Sequence, residues 1–518
     1  MILKIVMLVI FFGIMVAVGI YCRRHSTDVN GFVLGGRAVG PWLTAFAYGT
    51  SYFSAVIFVG YAGQFGWKFG IASTWIGLGN AIIGSLMAWC ILGRRTRLMT
   101  QHLNSSTMPE FFGKRFNSKS IKIGASAIVF IFLIPYTASL YNGLSRLFGM
   151  AFNIDYTMCI IIMAVLTGIY VIAGGYMATA INDFIQGIIM LGGIVAVIAA
   201  VISSKGGFMN ALDGLAKVND PAVSETPGVF ASFFGPDPLG LLFVVLLTSL
   251  GTWGLPQMVQ KFYAIKSEKS INKGAIISTI FAVIVAGGCY FLGGFGRLFS
   301  DAVPVDGKGI PVGGYDTIIP TMLENLSPFL IGIVVILVLS ASMSTLSSLV
   351  LASSSTLTLD FLKDNIVKNM SEKKQVLVMR ILIVLFILIS VVIAIVQYKS
   401  SVTFIAQLMG ISWGALAGTF LAPFLYSLYW KKVSGASVWV CFIAGAGLMV
   451  YNMLFRSTLP VLMQSPINCG VIAMLIGFII VPVVSAFTKK PSEEFLEDCF
   501  SCYEKQVLVH AKVSLGDE

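Results

Sequence analysis

One pattern recurs along this chain: uncharged apolar runs of about twenty residues, joined by short polar loops. Twenty residues of α-helix cross the ~30 Å of hydrocarbon in a bilayer. Inside that layer every backbone N–H and C=O must be bonded within the protein, which leaves helices and closed barrels. A barrel would show alternating segments of ~10 residues, whereas runs such as Ile5 to Tyr21 are continuous. Composition agrees. Charged residues make up 11% of the chain and mean hydropathy is +0.90, against about 25% charged in a soluble domain. The expected fold class is an all-α polytopic membrane protein.

Thirteen spans are expected, at 5–21, 41–63, 70–93, 123–148, 156–175, 180–203, 238–260, 274–298, 327–360, 376–397, 402–428, 434–455 and 468–487. Lys4 ahead of the first run resembles the basic start of a signal peptide, but the apolar core exceeds ~7–15 residues and no small-residue cleavage site follows. The first span is therefore expected to be retained. Net charge is +11, yet the basic residues concentrate in every second loop. Arg23, Arg24, Arg37, Arg94, Arg95, Arg97, Lys114, Arg115, Lys261, Lys266, Lys368, Lys431 and Lys432 fall on one side. Lys68, Lys205, Lys217, Lys308, Lys399 and Arg456 fall on the other. Basic loops stay cytoplasmic, so the charge reports topology and not nucleic-acid binding. It places the N-terminus outside and the tail inside, in the plasma membrane.

Enzyme chemistry has little to stand on. His25, His102 and His510 all fall in loop or tail segments, so no His/Asp/Glu cluster is expected at membrane depth. Cys499-Phe-Ser-Cys502 is a lone pair of tail thiols, expected on the surface without a metal.

Interrupted helices carry more. The second span reads Phe46-Ala-Tyr-Gly-Thr-Ser-Tyr-Phe-Ser54, and the seventh reads Leu247-Thr-Ser-Leu-Gly-Thr-Trp-Gly-Leu-Pro256. Pro256 lacks an N–H and frees the carbonyl of Thr252. The two lie five spans apart, an odd offset that inverts direction in the membrane. That is the spacing of an inverted five-helix repeat, whose broken helices hold solute and ions at mid-depth. A pocket between them would be walled by Tyr48, Tyr52, Gln64, Tyr136, Thr252 and Trp253. Half-helix ends there suit a carboxylate, and the aromatic residues favour a compact solute with an apolar part. The ninth span, "ILVLSASMSTLSSLVLASSS" from Ile336, is rich in hydroxyls and free of charge. Ala341, Ser344 and Thr345 share a face. Their oxygens suit a sodium ion, or else bond the helix's own carbonyls; both readings stand. Ser353, Ser354 and Ser355 are read as back-bonding. Asp183, entering the sixth span, is a candidate for the ion path or a favourable helix-start charge. Arg146 and Arg297 near span ends are read as anchors.

These segments together resemble the sodium:solute symporter family. The resemblance rests on Phe32-Val-Leu-Gly-Gly-Arg37, Pro109-Glu-Phe-Phe-Gly-Lys-Arg-Phe116, Gly174-Gly175 with Asp183-Phe-Ile-Gln186, Met343-Ser-Thr-Leu346, and Trp430-Lys-Lys with Gly435-Ala436. It is nearest to the bacterial sodium/proline symporter branch. It implies sodium-coupled import of a small solute by alternating access, with Na+ the only metal. It also implies a sodium site from backbone oxygens of Thr50, Phe53 and Ala341 with the hydroxyls of Ser344 and Thr345. Asp183 matches the family's acidic residue near the ion path. Departures stand at Tyr52, where that branch has an aspartate, and at Thr248 and Thr252, where it has aromatic residues. The sialic acid branch's fourth-span arginine has no counterpart near Tyr136. The implied layout is a first helix and loop (1–40), a first repeat (41–203), an extracellular loop (204–237), a second repeat (238–428), two peripheral helices (429–488) and a cytoplasmic tail (489–518). The expected solute is an amino acid such as proline, with a sugar or sialic-acid-type solute as alternative. A sodium-binding channel or sensor is the alternative class. Lipid, sodium and solute are the expected partners.

Overall fold

The computed structural model describes residues 2–23, 28–152, 154–306, 309–363, 366–367, 370–400 and 405–514. Arg24, His25, Lys308 and Lys368, and the start of the span expected from 402, lie outside them. Among the described residues the chain is helical, with isolated β-bridges and no extended strand. Ten helices are long and apolar enough to cross a membrane, or eleven if the bent pair Pro238–Gly254 and Pro256–Tyr263 counts as one span.

The difference from thirteen arises at three joints. The expected second span is cut short, because Pro41–Tyr52 has only 12 residues before the chain leaves helical geometry. Its continuation runs into the third span as one helical stretch, Val56–His102, although Gly70 turns sharply within it (φ 62, ψ −144). The expected fifth span is apolar over Tyr156–Ile169 but short by itself. It continues to the Gly174-Gly175 pair, where Gly175 (φ 57, ψ −151) kinks it into the sixth. Only glycine fits there: its φ is left-handed, and an added Cβ would meet the Phe32 carbonyl oxygen at 2.9 Å.

Helix starts follow from local chemistry. Pro41, Pro238, Pro256 and Pro328 occupy first helical positions, where the missing N–H costs no bond. Asp237 and Ser327 cap two of these by accepting from Gly240 N–H and Leu330 N–H.

Helix Pro328–Thr356 explains its own composition. Every residue from Leu337 to Thr356 is buried, against Lys119–Phe152 on one side and the helix carrying Asp183 on another. Small side chains let helices approach closely, so these hydroxyls face protein and not lipid. Ser354 and Ser355 donate to Leu351 and Ala352 carbonyls at 3.2 Å, the back-bonding expected of them, whereas the Ser353 hydroxyl, expected to do the same, has no hydrogen-bond partner among the described residues.

The two ends of the bundle are tied by arginines. At one, Arg37 donates to the carbonyls of Ser105 (2.7 Å), Tyr263 (3.1 Å) and Thr100 (3.4 Å). At the other, Arg297 pairs with Asp220 at 2.7 Å and donates to the Trp67 carbonyl at 2.6 Å. Arg297 is buried under loop 204–237 and does not reach toward lipid headgroups as an exposed anchor would.

Candidate functional site

Both helices expected to be interrupted are. Pro41–Tyr52 stops at Phe53, which is extended (φ −107, ψ 129), and helical geometry resumes at Ala55. Pro238–Ser249 tightens into a 3-10 turn, Leu250–Gly254, then Leu255 is extended (φ −86, ψ 120) before Pro256 starts the next helix. The two halves meet at 48°. Each break exposes backbone groups that a membrane interior cannot hydrate.

Helix Pro328–Thr356 serves the first break on both sides. The Thr345 hydroxyl lies 3.3 Å from the Phe53 carbonyl oxygen and 3.1 Å from that of Ala341. The Ser342 hydroxyl accepts from the Ala55 N–H at 3.0 Å. Ser342 was not among the expected site residues; its signal was only one more hydroxyl in a hydroxyl-rich run. The Thr50 carbonyl accepts from the Phe53 N–H at 3.2 Å. The side-chain oxygen of Thr50 is buried without a hydrogen-bond partner among the described residues, and the Ser344 hydroxyl is buried on the facing helix. A buried oxygen lacking a partner carries a real desolvation cost, and a hard cation is one way to offset it. Of the five oxygens expected around sodium, the Thr345 hydroxyl is thus in contact with two others, the carbonyls of Phe53 and Ala341.

Beside them lies a charge pair that the sequence misread. Lys261, expected in a loop, is 1% exposed. Its ammonium sits 3.8 Å from the Asp183 carboxylate, donates to the Ser348 hydroxyl at 2.9 Å, and lies 5.3 Å from the centre of the Tyr176 ring. The Ser344 hydroxyl is near the same carboxylate. Asp183 is fully buried, so it is not a solvated helix-start charge. A pair taken out of water this completely persists through mutual need: removing one partner strands the other.

The expected solute-site residues fall into two groups. Tyr52 and Thr252 share a short hydrogen bond between their hydroxyls, and Thr252 also donates to the Ser249 carbonyl at 2.7 Å. Trp253 donates to the Ile83 carbonyl at 3.0 Å. Tyr48 donates to the Gly84 carbonyl at 2.8 Å within an aromatic nest of Tyr52, Trp89 and Phe262. The second group gathers buried polar oxygens. Gln64 Oε1 is buried without a hydrogen-bond partner among the described residues, and the buried Tyr136 hydroxyl lies beside Ser54 and Trp413, on whose ring Tyr136 packs edge-on. The buried hydroxyls of Tyr61 and Tyr290 lie near that of Tyr136. Asn80 stands beside Tyr290, its amide 3.0 Å from the Ser249 hydroxyl. Tyr61, Asn80 and Tyr290 escaped the sequence reading because isolated tyrosines and asparagines in apolar spans carry no spacing signal.

Two broken helices, a hydroxyl-rich buried contact at one of the breaks and a largely uncharged interior describe a secondary transporter of the inverted-repeat class. The sodium:solute symporter family profile matches residues 32–445, and the chain belongs to that family. Sodium is accordingly its coupling ion, and it is a transporter and not an enzyme. It is 28% identical over 500 residues to the osmoregulated proline transporter OpuE of Bacillus subtilis, covering 94% of this chain and 96% of that one. It is 29% identical over 506 residues to sodium/proline symporter 2 of Staphylococcus saprophyticus, covering 95% and 94%. Its fold matches a substrate-bound, outward-open Na+-coupled sialic acid symporter with TM-score 0.71 at 17% identity, covering 95% of this chain and 99% of that one.

Proposed function

We propose that this protein imports a small amino acid of the proline type together with sodium across the plasma membrane, by alternating access. The observation that carries the reading is the contact between the first break and helix Pro328–Thr356. There the Thr345 hydroxyl lies 3.3 Å from the Phe53 carbonyl oxygen and 3.1 Å from that of Ala341, and the buried Thr50 side-chain oxygen lacks a partner among the described residues. In this reading Thr50, Phe53, Ala341, Ser344 and Thr345 hold sodium, and Asp183 with Lys261 forms the polar step beside it. Solute binds between the breaks, against Tyr52, Tyr136, Thr252, Trp253 and Gln64, with Tyr48 packing behind. The repeats run over 41–203 and 238–428, the N-terminus lies outside and the tail inside. The proline preference is supported by the named activity of the two relatives and by the aromatic lining.

A sugar-type solute is the second reading. The hydroxyls of Tyr61, Tyr136 and Tyr290 with the Asn80 amide would suit several solute hydroxyls. The test is uptake into liposomes containing the purified protein. Labelled L-proline should accumulate with an inward sodium gradient and not when potassium replaces sodium. Accumulation of a sugar or sialic acid instead selects the second reading. Equilibration without accumulation would indicate a channel.

A further inference from the structure

The Cys499 and Cys502 thiols are buried, not exposed, and the helix that carries them, Glu493–Ser514, lies across the Arg37 end of the bundle. Its docking is specific. Arg115, 0% exposed, donates to the carbonyls of Ser427 (3.3 Å), Trp430 (3.4 Å) and Lys431 (3.5 Å). Its guanidinium also stands 5.1 Å from the centre of the Phe500 ring, and the Lys431 ammonium stands 5.7 Å from that ring. Arg95 donates to the Leu428 carbonyl at 3.0 Å and lies 4.6 Å from the Tyr503 ring. The Tyr503 hydroxyl donates to the same Leu428 carbonyl at 3.2 Å. Asp498 lies 3.7 Å from His102.

The tail helix thus grips two spans that have no short connection in sequence: the end of Val56–His102, and the end of the helix that finishes at Tyr429. Deeper in, the same two helices wall the candidate solute site. One supplies Asn80 and the Ile83 carbonyl, and the other supplies Trp413 against Tyr136. A solute route that opens at this end must change the spacing of those walls.

We propose that helix Glu493–Ser514 is a latch: docked through Phe500 and Tyr503 it holds this end of the solute route shut, and it leaves its seat when the end opens. The latch rests on the alternating-access reading above. Burial pushes the Cys502 thiol up to about 11 and raises Cys499 as well. Thiolate is the reactive form, so both cysteines should react slowly while docked and report release. Cys90 is exposed and is replaced by serine in the full-length chain. Maleimide labelling of Cys499 and Cys502 in the Cys90→Ser protein should differ at least about fivefold between sodium chloride and choline chloride. Adding Phe500→Ala should make labelling fast in both salts. Equal slow labelling in both, with Phe500→Ala fast, would mean a static brace and overturn the latch. So would a Phe500→Ala variant that labels no faster, or fast labelling in both salts without it. Failure of proline uptake leaves these arms untouched and counts only against the solute assignment.

Discussion

Thr345 bonds to a carbonyl of its own helix and to one across the break, so removing its hydroxyl has two separable effects. If it also holds the ion, Thr345→Ala should raise the sodium concentration for half-maximal uptake roughly tenfold, the equivalent of about 1.4 kcal/mol. Ser344→Ala should act in the same direction. Ser354→Ala, whose hydroxyl donates to the Leu351 carbonyl of its own helix, should leave sodium dependence unchanged. Uptake titrated against sodium checks all three. Lys261→Met strands Asp183 in a dry interior, at a cost of about 3–5 kcal/mol. A fall in melting temperature of the purified protein is expected, with recovery in the Asp183→Asn/Lys261→Met double variant. No recovery would show that the pair is not mutually dependent. The shared face of Ala341, Ser344 and Thr345 was legible because residues at helical spacing line up whatever the helix packs against. Lys261 was not, since a lysine four residues after Gln257 near a span end reads as a loop charge. Its burial depends on where the second half of a bent helix is aimed, which no local pattern records.

At the scale of helices, the interruptions were legible and the counts were not. Glycine and proline mark where a helix stops being regular, but whether two pieces then count as one span depends on tertiary angle. Gly175 separates these cases experimentally. Its left-handed φ and the 2.9 Å approach to the Phe32 carbonyl mean that Gly175→Ala should lose roughly 1–3 kcal/mol. Gly192, in the same helix with nothing within 4 Å of an added Cβ, should accept alanine without loss. Thermal unfolding followed by size-exclusion fluorescence compares the two. Equal melting temperatures would mean that the kink relaxes freely. The tail was the least legible element: Phe500, Cys499 and Tyr503 form an ordinary amphipathic turn until Arg95 and Arg115 are placed beneath them.

For the whole molecule, the proposed orientation is checked by single cysteines. One in loop 204–237 should react with an impermeant reagent from outside intact cells, and one beside Lys266 should not; the reverse pattern inverts the protein. Coupling sets the scale of work. One inward charge gains about 2.3 kcal/mol per 100 mV and a tenfold sodium gradient roughly 1.4 kcal/mol. Together they support accumulation of a neutral solute on the order of 500-fold, measurable as the plateau of uptake. The join between the halves has a consequence for timing. The Ala55 N–H is held by Ser342 of another helix, not by a carbonyl one turn back in its own. Whenever the two helices part, that proton meets water while its helical neighbours remain bonded. In heavy water, the deuterium uptake of this amide would then count openings of the core. Its exchange rate would slow in step with sodium occupancy, giving the transport cycle an isotopic clock that needs no attached probe.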